Sequence, residues 1–138
     1  AGFLGRRVMR LLQDRPDLTV VEIDPEHPDD TCRDGAALRS LAGHPALIVN
    51  ISRHHVMERY INDLWEGSVV LNEVYPECSP ESIVALKARG VRYFHLQGVR
   101  AWSMPRFPGA YAGAVPCCAA SAASPSSRNQ AELKLLEK

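Results

Sequence analysis

Neither sign of charge is in excess in this chain of 138 residues, because 16 Lys and Arg balance 16 Asp and Glu. A formal net charge of zero removes the electrostatic case for nucleic acid or an anionic membrane as partner, and favours a small-molecule substrate. Long apolar runs are also missing: none approaches the roughly 20 residues that cross a bilayer. The N-terminus lacks a basic stretch leading into an apolar core and cleavage site, so the expectation is a cytoplasmic protein. Cysteine is sparse. Cys32, Cys78, Cys117 and Cys118 have no ligand-like spacing, and free thiols with no bound metal are expected. No repeat of fixed period occurs.

What is present is an alternation of helical and strand-like patterns. Leu4, Val8, Leu11 and Leu12 share one face of a helix that begins at the start of the chain and is broken by Pro16 and Asp17. The β-branched run Leu18 to Asp24 reads as a strand, and Pro25 and Pro28 follow in a turn. Asp34 caps a short helix ended near Gly43 and Pro45, and Ala46 to Ser52 is the next strand. Val56, Met57, Tyr60, Ile61, Leu64 and Trp65 recur at intervals of three and four, which predicts an amphipathic helix stopping at Gly67. Ser68 to Tyr75 is a strand. Ser79-Pro80-Glu81 starts a helix that Gly90 ends, and Val91 to Leu96 is a further strand. Residues 119–138 read as a linker and one short helix at Glu132 to Glu137, leaving 1–118 as the main domain.

Strands alternating with helices of about ten residues imply an α/β fold, a doubly wound parallel sheet covered on both faces. Starting on a helix leaves such a sheet without its central first strand, whose place would be before Ala1.

The opening segment Gly2-Phe3-Leu4-Gly5 supplies the last two glycines of a G-x-G-x-x-G phosphate loop. Glycine there lets the backbone approach a pyrophosphate and lets helix and strand pack closely, while the helix turns free N–H groups toward the phosphates. The same fingerprint asks for an acid about 20 residues on, at the end of the second strand. Asp24 occupies that position. Its carboxylate would hold both adenosine ribose hydroxyls and repel a 2′-phosphate, favouring NAD over NADP. The competing reading makes Gly2 and Gly5 packing glycines and Asp24 a turn cap.

Two family resemblances follow. Gly2-Phe3-Leu4-Gly5 with Arg6-Arg7-Val8, and later Ala36 to His44, looks like the extended short-chain dehydrogenases. Those enzymes use a Tyr-x-x-x-Lys pair, and the positions four before Lys87, Lys134 and Lys138 hold Ile83, Gln130 and Lys134. Val49-Asn50-Ile51-Ser52 and Val74-Tyr75-Pro76-Glu77, with the helix Ser79 to Arg89, resemble the Rossmann-type cofactor domain of the shikimate and quinate dehydrogenases. That resemblance covers about residues 1–100. It implies an oxidoreductase moving a hydride between nicotinamide and a small hydroxy or amino compound. It also implies that the acid–base residues lie outside this chain, in a separate substrate domain. Asn50 and Ser52, at a strand end, would line the crevice near the nicotinamide ribose. The alternative is a non-catalytic nucleotide-binding or assembly protein that keeps the fold.

Other residues have plainer readings. His54 and His55 diverge by about 100° on a helix and serve as polar residues at its start. His95 is a structural histidine within a strand. The aromatic, proline-rich segment Trp102 to Tyr111 would contact a second domain or a second copy of the chain.

Overall fold

The computed structural model describes residues 2–24, 26, 35–53 and 55–96, and the backbone alone of 97–100 and 130–135. The elements are α1 (Phe3–Leu12), α2 (Ala36–Arg39), β1 (Leu47–Asn50), two 3₁₀ turns (Met57–Arg59 and Ile61–Asp63), β2 (Val69–Asn72), α3 (Pro80–Ala88), β3 (Arg92–Arg100) and β4 (Gln130–Leu135). Contacts divide the chain into two compact units, Ala1–Tyr93 together with Lys138, and Phe94–Glu137.

The first unit is α/β. β1 and β2 run parallel in register from Leu47 opposite Val69 to Asn50 opposite Asn72, and the start of β3 follows β2 in the sheet. The Arg92 N–H donates to the Ser68 carbonyl at 3.1 Å. The chain thus passes from strand to helix to strand through α3, and α3 is capped at both ends. Ser79 Oγ accepts from the Ser82 N–H at 3.2 Å, and Pro80 sits in the first turn where its missing N–H costs nothing. At the other end Gly90 takes φ 72°, the Gly90 N–H reaches the Lys87 carbonyl and the Val91 N–H reaches that of Leu86. This is the glycine-closed helix end that satisfies the last carbonyls.

The core of this unit is Leu38, Met57, Tyr60, Ile61, Leu64, Val70, Leu86, Val91 and Tyr93. Four of these come from the segment expected as a helix over Val56 to Trp65. The spacing correctly marks the buried side chains, but the backbone makes two 3₁₀ turns that part at Tyr60, with φ −108° and ψ 0°. The Arg89 guanidinium donates to the Asn62 and Leu64 carbonyls at 2.7 and 3.0 Å, satisfying acceptors at the end of the segment that a helix over Val56 to Trp65 would leave unpaired.

Two further expectations are corrected. Leu18 to Asp24 forms no strand: the run is half-buried from Val20 to Asp24 and has no ladder. β-branched composition marks a residue that fits a pleated surface, and a strand exists only beside a hydrogen-bonding neighbour. Residues 130–135, placed in the linker and terminal helix, are instead a strand antiparallel to β3 in the second unit, with Phe94 opposite Leu135 and a register shift between Leu96 and Gly98. Ala131, Leu133 and Leu135 alternate with Glu132 and Lys134, a two-residue period that belongs to a strand. His54, Asp34, Cys32, Cys117, Cys118 and residues 102–111 lie outside the described residues. Among the described residues no helix is long and apolar enough to cross a membrane.

Candidate functional site

Parallel strands that end together leave a crevice beyond their carboxyl ends, and in α/β folds that is where ligands bind. β1 and β2 end together on Asn50 and Asn72, both buried. The Asn50 Nδ2 donates to Asn72 Oδ1 at 2.6 Å, and Asn72 Nδ2 donates to the Val74 carbonyl at 2.9 Å. Ser52, where the chain leaves β1, donates from Oγ to Asn50 Oδ1 at 2.6 Å. A buried amide left unmatched is costly, so these contacts fix the side chains as a set. The consequence for Ser52 is specific. Its hydroxyl proton is committed to Asn50, so the oxygen faces any ligand as an acceptor.

A cavity of about 710 Å³ opens at this end of β1. Its lining includes Gly2 and Gly5, Ile23, Asp24 and Glu26, Leu38, Ile48 to Arg53, and Val56, Met57, Arg59 and Tyr60. The volume falls within the roughly 300–1,000 Å³ of small-molecule sites. Five of the seven residues expected to bind a cofactor therefore stand around one space: Gly2, Gly5, Asp24, Asn50 and Ser52. Phe3 and Leu4 do not line it, and both are exposed.

At the helix end of the cavity, Gly2 is the N-cap of α1 and brings no side-chain acceptor to the first turn. A Cβ added at Gly2 would meet nothing within 4 Å. First-turn N–H groups with no capping side chain, beside a cavity, suit an anion. Asp24 turns one carboxylate oxygen back to the Glu26 N–H at 3.0 Å, an Asx turn that orients the side chain. Arg53 and Glu26 form an exposed ion pair at 2.7 Å on the rim. Glu22, also acidic and in the same run, is absent from the lining.

A small recess of about 10 Å³ adjoins these residues, lined by Asn50, His55, Met57, Glu58, Asn72, Val74, Pro76, Glu77 and Cys78. His55 and Glu58 are paired there, Nδ1 to Oε2 at 2.8 Å. Burial pushes the Cys78 thiol up from its ordinary range, with the Tyr93 hydroxyl partly opposing it, and the same burial raises Tyr93. Both groups stay protonated near neutrality. Among the described residues no group of three or more His, Cys, Asp and Glu is arranged to hold a metal. His95, on β3 in the second unit, is fully buried.

The sequence carried one signal that the expectations above missed. Two apolar runs, Leu-Ile-Val-Asn50 and Val-Val-Leu-Asn72, each end on asparagine, and in parallel register that brings the two amides together. The His55–Glu58 pair had no comparable signal, because it depends on a backbone conformation that spacing does not reveal. No known protein family, curated protein or solved structure matches the chain.

Proposed function

We propose that this chain is the NAD-binding unit of an oxidoreductase, a Rossmann-type domain resembling that of the shikimate dehydrogenase group. It would serve hydride transfer between nicotinamide and a small hydroxy or amino compound. The observation that carries the reading is the gathering of Gly2, Gly5, Asp24, Asn50 and Ser52 around one cavity at the carboxyl end of β1. They come from three separate stretches of the sequence, each expected at a different part of a dinucleotide.

The donor set suits that ligand. The uncapped first turn of α1 offers N–H groups to the pyrophosphate. The Asp24 carboxylate accepts from the adenosine ribose hydroxyls and disfavours a 2′-phosphate, so NAD is preferred to NADP. Ser52, held by Asn50, accepts from the nicotinamide ribose or carboxamide. Asn50 then acts as a positioning residue, since its amide is already bonded to Asn72 and Ser52. Nicotinamide supplies the hydride chemistry when bound, and the protein supplies placement.

Titration calorimetry with NAD and NADP, on the native chain and on Asp24→Ala, tests the reading. NAD should bind more tightly than NADP, and Asp24→Ala should weaken NAD by roughly tenfold or more, since hydrogen bonds to a charged group contribute about 1.5–3 kcal/mol. Equal binding of the two cofactors, or no binding, overturns the proposal.

One observation favours the assembly reading instead. Helix α1 buries no residue, and Phe3, Leu4 and Leu11 are exposed, as is Leu47 on β1. A set of apolar side chains left in water suits association with another copy of the chain. Light scattering that finds a dimer lost in Leu11→Glu, together with no cofactor binding, would select that reading.

A further inference from the structure

We infer that Arg59 anchors a carboxylate on the substrate, which makes the small compound of this site a 2-hydroxy or 2-amino acid and its oxidised partner a 2-oxo acid. The inference rests on the dinucleotide reading above and names the class of substrate which that reading leaves open.

Four charged side chains line the main cavity: Asp24, Glu26, Arg53 and Arg59. Three of them are accounted for. Asp24 accepts from the Glu26 N–H and is assigned to the adenosine ribose, while Glu26 and Arg53 lie 2.7 Å apart and neutralise each other. Arg59 is the remaining charge. Among the described residues no carboxylate stands within ion-pair distance of its guanidinium. Other arginines of the unit differ in this respect, since Arg15 pairs with Asp17, Arg39 pairs with Asp63, and Arg89 donates to two carbonyls. A cation on a cavity wall with no counter-ion of its own suits an anionic ligand.

The backbone fixes the point from which this side chain leaves. Arg59 closes the 3₁₀ turn Met57–Arg59, between the buried residues Met57 and Tyr60. The Arg59 N–H donates to the Val56 carbonyl and the Tyr60 N–H to the Met57 carbonyl, each at 3.1 Å. Arg59 itself is exposed, and Val56, Met57 and Tyr60 line the cavity with it. This wall is built by the segment that continues from the carboxyl end of β1 through Ser52, the residue assigned to nicotinamide. Gly2 and Gly5 belong instead to α1, whose first turn suits the pyrophosphate. The α1 N–H groups and Arg59 are thus two anion-seeking features from two different elements, and the cofactor's phosphates account for the first.

The chemistry of the guanidinium selects a carboxylate. Its planar fork presents two parallel N–H groups that match two carboxylate oxygens, and such a pair fixes the plane of the acid as well as its position. In a 2-oxo acid the carboxylate is bonded to the reacting carbon, so holding the carboxylate also orients the carbonyl toward the nicotinamide. A neutral alcohol or aldehyde would leave the charge unmatched.

The experiment follows the Arg59 Nε–Hε signal of the ¹⁵N-labelled chain by NMR. The chain, saturated with NAD, is titrated with glyoxylate, pyruvate and oxaloacetate, and with pyruvamide as the neutral counterpart of pyruvate. NAD and the 2-oxo acids are all oxidised, so no hydride moves during the measurement. The signal, identified by its loss in Arg59→Ala, should shift saturably with at least one of the acids and stay in place with pyruvamide. Arg59→Ala should bind NAD as the native chain does and bind the acid about tenfold or more weakly, the scale of hydrogen bonds to a charged group. Arg59→Lys should recover part of that loss, because it restores the charge without the fork. The inference is overturned if none of the three acids binds, if pyruvamide binds as tightly as pyruvate, or if Arg59→Ala keeps its affinity for the acid. It is also overturned if Arg59→Ala weakens NAD itself, which would give Arg59 to the pyrophosphate. Failure of the native chain to bind NAD is a different result. It overturns the dinucleotide reading, and this inference falls with it.

Discussion

Helices α1 and α3 are nearly equal in length, ten residues against nine, and are held by opposite means. α3 has a serine cap, a proline in its first turn, a glycine-closed end and a fully buried Leu86. α1 has a glycine at its N-cap, no capping side chain and no buried residue. The segments that accompany them differ in the same way. β2 lies between β1 and the start of β3, whereas Leu18 to Asp24 pairs with nothing as a strand. The lesson is a division of labour within the first unit. The β1–β2–α3 side supplies cohesion and the fixed amides Asn50 and Asn72, and the α1 side supplies backbone N–H groups and Asp24. A ligand seated in the cavity touches both.

Substitutions on the two sides should therefore separate widely. The largest effect is expected at Leu86→Ala, which empties a site of 0% exposure and should cost about 2–5 kcal/mol. Guanidinium denaturation would read this as a lower midpoint with the slope unchanged. Next is Gly90→Ala. Its backbone is left-handed and the new Cβ would come within 2.8 Å of Glu66 Cγ, so about 1–2 kcal/mol is expected. Leu11→Ala should be the smallest, within about 0.5 kcal/mol, because Leu11 is 74% exposed and removing it takes little from a packed core. A large loss at Leu11 would break the comparison. It would mean that α1 is covered by something the unit does not itself provide, and the assembly reading would gain accordingly.

How much of this could be read in the residues depends on which physical signal each segment carries. α3 was legible because its signals are local: Ser79 and Pro80 start it, and Gly90 stops it whatever surrounds them. β1 and β2 were legible as short apolar runs closed by polar residues. The segment from Val56 to Trp65 was half legible. Its spacing identified Met57, Tyr60, Ile61 and Leu64 as core, but the backbone parts into two 3₁₀ turns at Tyr60, and Arg89, distant in sequence, closes the end of the segment on the Asn62 and Leu64 carbonyls. Leu18 to Asp24 was misleading because a strand is a property of two segments, and composition reports on one. At Gln130–Leu135 the two-residue alternation was present in the residues, where a linker and a short helix were expected.

The site divides along the same line. Gly2, Gly5 and Asp24 were singled out by spacing alone, since the dinucleotide fingerprint asks for an acid about 20 residues after its glycines, and the three line one cavity. Asn50 and Ser52 follow from their place at a strand end. Asn72 needed the parallel register, and His55 needed the backbone angle. The matching ends of the two apolar runs hinted at Asn72, but nothing in the spacing of residues hinted at His55.

The central claim is that one dinucleotide spans both sides of this unit at the carboxyl end of β1. Backbone amide chemical shifts recorded during an NAD titration test it most directly. The account predicts saturable changes at Gly2 to Arg6, at Asp24 and at Asn50 to Ser52, converging on one dissociation constant, with the amides of Glu81 to Ala88 in α3 unchanged. Changes confined to α3, or none at any concentration that saturates a dinucleotide site, would contradict it.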